Sequence, residues 1–186
     1  MSDATSALQG ARTDGFARIE AAGPVGMITL RADLGAARVA KAVKAVTGCA
    51  MPGRRRIVTA GDKAVGWMSS DEVLILLPHA EAPGAVAVLS AALARDHALV
   101  AEVSDARALF RIGGAKADQV LMKLCPVDFA RMERDELRRT RAAQVAVAIW
   151  RSGDDEISLI CFRSVAGYVA GILEHSARTG SELLPG

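Results

Sequence analysis

Apolar positions along this chain fall into two alternating periods, and the switches between them outline the elements. Residues 27–30 form a short apolar run that suits a strand, after which Ala36, Val39, Val43 and Val46 recur at helical spacing with Arg38, Lys41 and Lys44 on the opposite side. Thr47-Gly48 closes that helix. Beyond a loop at 49–56, strands are expected at 57–60, 64–68 and 73–77, the last ended by Pro78. A helix over about 83–94 then turns Val86, Leu89 and Leu93 inward. The second half repeats this order. Residues 106–112 alternate as a strand, Gly113-Gly114 makes a turn, and Ala117, Val120, Leu121 and Leu124 line a helix stopped at Cys125-Pro126. Strands at 145–150 and 157–162 flank Ser152-Gly153-Asp154, and Ser164 stands where it would cap a last helix through Val165, Tyr168, Val169, Ile172 and Leu173.

The halves also match in detail, since Trp67 with Asp71-Glu72 in the first is echoed by Trp150 with Asp154-Asp155-Glu156 in the second. A strand-helix-strand-strand-helix order occurring twice argues for an α+β duplication, with antiparallel sheets covered by helices and halves at about 23–97 and 98–178. Residues 1–22 are rich in Ala, Ser, Gly and Thr without a sustained period and read as a mobile tail or a strap laid over a partner, and 179–186 as a second tail.

Composition narrows the function class. The 23 basic and 21 acidic residues are spread along the chain, leaving a formal net charge of +2 and no basic stripe interleaved with aromatics, so nucleic acid is not an expected partner. The longest strongly apolar run, 73–77, is far short of a membrane-spanning helix. Cys49, Cys125 and Cys161 are odd in number and share no metal-ligand spacing, so neither a disulfide framework nor a zinc site is indicated. With no basic start and apolar run of a secretory signal in residues 1–15, a cytoplasmic location is expected.

Candidate chemistry is sparse. In Ser104-Asp105-Ala106-Arg107 an acid beside an Arg could orient a polar ligand or simply pair as a turn. Gly113-Gly114 could free backbone N–H groups for an anion, although the spacing of nucleotide-binding loops is lacking and a tight turn explains the pair as well. Cys125 lacks an evident cation to activate its thiol, and His79, His97 and His175 are isolated. No serine lies in a nucleophile elbow. Arg54, Arg55 and Arg56 offer an anionic partner a basic loop, whereas the mixed charges of 133–141 suit a solvated face that pairs with itself. Gly167 and Gly171 let another backbone come close to the last helix, which implies packing against a sheet or a subunit. Both faces of 145–150 are apolar, which suggests that part of their cover comes from another protein.

Several stretches together resemble the gamma subunit family of bacterial heterotetrameric sarcosine oxidase. The matching pieces are Ile28-Thr-Leu-Arg-Ala-Asp-Leu34, Trp67 with Asp71-Glu72, His97-Ala-Leu-Val-Ala-Glu-Val-Ser-Asp-Ala-Arg-Ala108, Leu124-Cys-Pro-Val-Asp-Phe129, Arg139-Thr-Arg-Ala-Ala-Gln144, Trp150-Arg151 and Arg163-Ser-Val-Ala-Gly-Tyr168. Where the family usually reads Gly-Pro-Asp-Glu-Trp, this chain has Ser69-Ser70-Asp71-Glu72-Val73. The resemblance implies a fold like the folate-binding domain of aminomethyltransferases. It also implies a role in oxidative demethylation of sarcosine to glycine, with hydrogen peroxide and methylene-tetrahydrofolate formed. FAD, FMN, NAD, tetrahydrofolate and zinc would then belong to the alpha, beta and delta subunits, and this chain would hold no cofactor and no catalytic residue. Arg54, Arg55, Arg56, Asp105 and Arg107 are the expected contacts to a partner or ligand. The alternative is a stand-alone folate-binding or one-carbon transfer protein, with Asp105 aimed at the pterin.

Overall fold

A computed structural model describes residue 8 and residues 10–183. The chain divides into two compact units, one of residues 25–104 and the other of residues 1–24 together with 105–186. Among the described residues, no helix is long and apolar enough to cross a membrane.

In the unit of residues 25–104 the elements run β3 (Val25–Arg31), α1 (Ala37–Thr47), β4 (Ile57–Ala60), β5 (Lys63–Ser69), β6 (Glu72–Pro78), α2 (Ala82–Ala92) and β7 (Leu99–Glu102). They form an antiparallel five-stranded sheet ordered β4-β5-β6-β3-β7. One face presents Ile28, Leu30, Val65, Val73, Ile75 and Leu77 to the inward sides of α1 (Val39, Ala42, Val43) and α2 (Ala82, Ala85, Leu89). The opposite face is also apolar and buried at Met27, Leu74 and Leu76. That two-sided burial explains why β3 and β6 read as continuous apolar runs rather than as alternations. At the end of α1 the left-handed Gly48 (φ 74°) donates its N–H to the Lys44 carbonyl, and Thr47 Oγ1 bonds Val43 O, as the Thr-Gly pair predicts.

The second unit begins at the N-terminus with β1 (Arg12–Asp14) and β2 (Arg18–Ala21) and continues with β8 (Arg107–Gly113), α3 (Ala117–Met122), β9 (Leu137–Ala142), β10 (Val145–Gly153), β11 (Glu156–Phe162) and α4 (Ala166–Ser176). Its six strands are ordered β1-β2-β8-β11-β10-β9. Phe110, Ile112, Ile149, Ile157 and Leu159 pack with Val120 and Leu121 of α3 and with Val169 and Leu173 of α4. The two units are therefore repeats of one β-α-β-β-β-α order, α+β with antiparallel sheets, in which β3, β4, β5 and β6 correspond to β8, β9, β10 and β11.

Several sequence expectations change. Residues 12–21 are not a tail: Arg18–Ala21 pair with Gly113–Phe110 of β8, and Thr13 Oγ1 donates to Glu174 of α4 at 2.9 Å. Residues 1–7 of the expected tail lie outside the described residues. Of the expected C-terminal tail, residues 179–183 are described and Leu183 N–H bonds the Gln119 side chain, while residues 184–186 lie outside. The boundary between halves falls at 104/105 rather than 97/98, because β7 pairs with β3 and so belongs to the first sheet. The charged run 133–141 does pair with itself, Arg138 reaching Glu136 at 2.6 Å, but residues 137–142 are also strand β9, whose apolar Leu137 and Ala142 sit at its ends with Arg, Arg, Thr and Arg between them, so no period of two shows. Ser164 does not cap α4, which starts two residues later after a 3-10 turn at Arg163–Val165.

The paired tryptophans do not occupy equivalent places either. Each central hairpin carries a bulge, and the registers Trp67↔Val73, Ser69↔Glu72 and Arg151↔Ile157, Gly153↔Glu156 match Trp67 with Arg151 rather than with Trp150. A one-residue slip puts side chains on opposite faces, so Trp150 is buried while Trp67 is half-buried.

The two-faced strand at 145–150 needs no partner at its centre. Val147, Ala148, Ile149 and Trp150 are all buried within this chain. Among the described residues of this chain no sheet packs against Gly167 or Gly171, since a Cβ at either would meet nothing within 4 Å. Replacing Gly171 with Ala is accordingly expected to stabilise the chain by about 0.5–1 kcal/mol through helix propensity. A urea midpoint that falls would show that this helix face is packed after all.

Candidate functional site

The residues singled out by sequence fall into different units. Arg54, Arg55 and Arg56 lie in the turn before β4, all exposed, with Arg55 in the left-handed region at φ 60°. This turn is anchored from behind: the Arg56 carbonyl accepts the Trp67 N–H at 2.9 Å, and Arg56 N–H bonds Gly53 O. The three side chains are thus carried outward on a fixed hairpin edge.

Asp105 and Arg107 belong to the other unit, at the start of β8. Asp105 is exposed on a single turn, Ser104–Ala106. Its neighbour Ser104 makes the bonds: the hydroxyl accepts Met27 N–H at 3.0 Å and donates to Glu102 at 2.9 Å. The Arg107 guanidinium stacks 5.3 Å from the ring centroid of Phe162, its cross-strand partner on β11. Phe162 is 52% exposed, so this cation–π pair lies at the surface, and an aromatic with an Arg is a composition favoured at interfaces.

The other candidates resolve into structural roles. Gly114 takes φ 117°, its N–H bonds Asp155 O and its carbonyl accepts Ala117 N–H, so Gly113-Gly114 is a turn into a six-residue helix. All three thiols are buried, and burial pushes Cys125 up to about 12 and Cys161 to about 11. A thiol held in that range stays protonated and unreactive at neutral pH. Among the described residues no cluster of three or more His, Cys, Asp or Glu could hold a metal.

Two arrangements escape sequence reasoning. The first is Arg151, whose side chain is 13% exposed. Its guanidinium reaches Asp118 of α3 at 2.8 Å and the carbonyls of Phe129 at 3.2 Å, Met132 at 3.0 Å and Asp154 at 3.3 Å. One planar fork thereby fastens the irregular segment between α3 and β9 to the central hairpin. Nothing in the sequence marks Asp118 as its partner. The second is a cavity of about 690 Å³ in the unit of residues 25–104, lined by Arg31, Ala32, Asp33, Asp71, His97, Ala98 and Leu99. Two of the lining residues, Arg31 and Asp71, pair at 3.0 Å, and Ser69 Oγ donates to the same carboxylate at 2.6 Å. Those contacts, the Ser69 bond foremost, hold the Asp71 carboxyl below its ordinary range.

The chain matches the family described as sarcosine oxidase, gamma subunit family, over residues 31–178. It is 33% identical over 93 residues to the sarcosine oxidase subunit gamma of Arthrobacter sp, a match spanning 49% of this chain and 45%, just under half, of that protein. Its fold is similar to a chain of the heterotetrameric sarcosine oxidase from Corynebacterium sp. U-96 in complex with pyrrole 2-carboxylate, with a TM-score of 0.80 at 23% identity over 89% of this chain and 87% of that one. The glycine cleavage system aminomethyltransferase T from Bartonella henselae shares the fold at a TM-score of 0.61 and 13% identity, over 83% of this chain and 44% of that one.

Truncating Arg151 to Ala leaves Asp118 and three backbone carbonyls without their donor and should cost roughly 2–4 kcal/mol of stability. The urea midpoint followed by circular dichroism measures it, and a loss below about 0.5 kcal/mol would mean that water replaces the fork at no net cost.

Proposed function

Because the chain belongs to the sarcosine oxidase gamma subunit family, we propose that it acts as a non-catalytic assembly subunit of a heterotetrameric sarcosine oxidase. The match to that family over residues 31–178 carries the reading, and the fold likeness over 89% of the chain to the Corynebacterium enzyme supports it. The larger subunits would hold the flavins, NAD and the tetrahydrofolate site, and the smallest the zinc. The complex would demethylate sarcosine oxidatively to glycine, reduce oxygen to hydrogen peroxide and pass the one-carbon unit to tetrahydrofolate.

In that role the chain contributes surface and rigidity. Arg54 and Arg55, carried outward on their anchored turn, and Arg107 stacked on exposed Phe162 are the contacts proposed for partner chains. Arg54 and Arg55 present exposed guanidinium forks, and such forks recognise carboxylates across an interface.

The aminomethyltransferase-like fold favours a second reading, a free-standing folate-binding protein. That reading needs an acid facing the pterin within a pocket, and Asp105 stands exposed on a surface turn.

Co-expression with the other three subunits tests both readings. A purified complex that contains this chain, absorbs as a flavoprotein and oxidises sarcosine is expected, with a marked loss of yield or activity when the chain is omitted. An equally stable and active enzyme without it would overturn the assembly role, and saturable binding of tetrahydrofolate by the isolated chain would establish the second reading instead. Replacing Arg54, Arg55 and Arg56 together with Ser should weaken association while the urea midpoint of the free chain stays in place; unchanged affinity in a titration would remove that turn from the interface.

A further inference from the structure

The duplication has a position filled in one unit and open in the other. Lined up through β3 and β8, the two sheets read β4-β5-β6-β3-β7 and β9-β10-β11-β8-β2-β1. Thus β7 corresponds to β2, each antiparallel to the first strand of its repeat. In one unit the outer edge of β2 is covered by the three-residue strand β1, while among the described residues no strand pairs with the outer edge of β7.

Register shows which groups that edge offers. Val103 N–H donates to Met27 O at 2.8 Å, and the pairing Thr29↔Ala101, Arg31↔Leu99 continues the alternation. The backbone groups of Leu99, Ala101 and Val103 therefore point at β3, and those of Val100 and Glu102 point away from it. Sheet edges are usually guarded by charge, and β9 carries Arg138, Arg139 and Arg141. In β7 the sequence is Leu-Val-Ala-Glu, and Leu99 is 54% exposed.

Chemistry around the edge selects the occupant. The 690 Å³ cavity opens at the N-terminal end of β7, where His97, Ala98 and Leu99 form one wall. Its only guanidinium among the described residues, Arg31, is already committed to Asp71. Asp33 accepts just the Gly35 N–H, and Glu102 at the far end accepts the Ser104 hydroxyl, so neither carboxylate has a cation among the described residues. The edge is apolar in the middle and anionic at both ends.

We propose that the outer edge of β7 is a docking site at which a short extended segment of another subunit adds as a sixth strand, seating a Lys or Arg side chain in the cavity beside Asp33. Main-chain bonds to Val100 and Glu102 supply affinity, and the cavity selects the basic residue. The proposal rests on the assembly role given above.

Amide hydrogen exchange on the free chain and on the assembled complex reads the site directly. The amides of Val100 and Glu102 should exchange rapidly in the free chain and be slowed in the complex, while those of Leu99 and Ala101 are slow in both. Equal exchange of Val100 and Glu102 in the two states would overturn the docking site and leave the assembly role standing. Slow exchange already in the free chain would overturn it too, since the edge would then be covered by this chain itself or by a second copy. Failure of the four chains to assemble would remove the assembly role and the docking site together.

A variant separates the edge from the fold. Val100→Pro deletes an outward N–H without touching the ladder to β3, and proline is tolerated where a strand's N–H faces away from its sheet. It should weaken association about tenfold or more with an unchanged urea midpoint. Unaltered affinity would overturn the proposal. Should Val100→Pro lower the midpoint, the pair Asp33→Lys and Glu102→Lys replaces it, with weakened association expected and unaltered affinity again counting against the site.

Discussion

The pairing of β2 with β8 is the contact on which the C-terminal unit depends. It joins residues 18–21 to residues 110–113, with the whole of the other unit lying between them in sequence. Closing so long a loop costs entropy that local contacts do not repay, so the pairing must be held by burial. Ile19 and Ala21 sit in the same core as Phe110 and Ile112 and supply that burial. Around it, the turn between β1 and β2 is tied to the end of α4, where Phe16 N–H bonds Ala177 O at 2.9 Å and a Cβ at Gly15 would run into the same carbonyl. Lys123 completes the tie by bonding Ser176 O at 2.7 Å and lying 4.8 Å over the Phe16 ring.

The duplication gives each unit the same sheet, yet the two copies use it differently. The bulged hairpin places Trp67 in one repeat and Arg151 in the other at equivalent positions. In the first unit that position is a half-buried aromatic, whereas in the second it is the fork that organises the segment from α3 to β9. The edges diverge in the same way. Arginines guard β9, and its counterpart β4 carries Ile-Val-Thr-Ala. Such asymmetry is what a chain needs if its copies are to face different neighbours, because an edge or face kept identical in both would invite the same partner twice.

Three buried or half-buried polar side chains hold backbone in place. Ser104 binds the start of β3, Arg151 the segment before β9, and Lys123 the C-terminal turn. Two of them also bond a carboxylate, Ser104 that of Glu102 and Arg151 that of Asp118. Arg54 and Arg55 are exposed on their turn, whereas Arg107 is half-buried against Phe162.

The order of most strands and helices was legible in the sequence, because each buries one regular face and the periods of 2 and 3.6 record it. Helix α1 with its Thr-Gly end, the apolar strands β3, β6 and β11 and the repeat of the whole pattern all follow from local spacing. The strands that stayed hidden are short or polar. β1, β2 and β7 have three or four residues each, and β9 has four polar residues between Leu137 and Ala142, so their strand state is imposed by the neighbour they pair with. The candidate residues divide the same way: the exposure of Arg54–Arg56 could be expected from a charged loop, but Phe162 beneath Arg107 and Asp118 beside Arg151 lie dozens of residues from them along the chain. Sequence periodicity reports only which side of an element is buried. Which distant element buries it, which bulge sets the register of the two tryptophans and which sheet edge is left open are decided when the strands pair, and that is settled by tertiary contact alone.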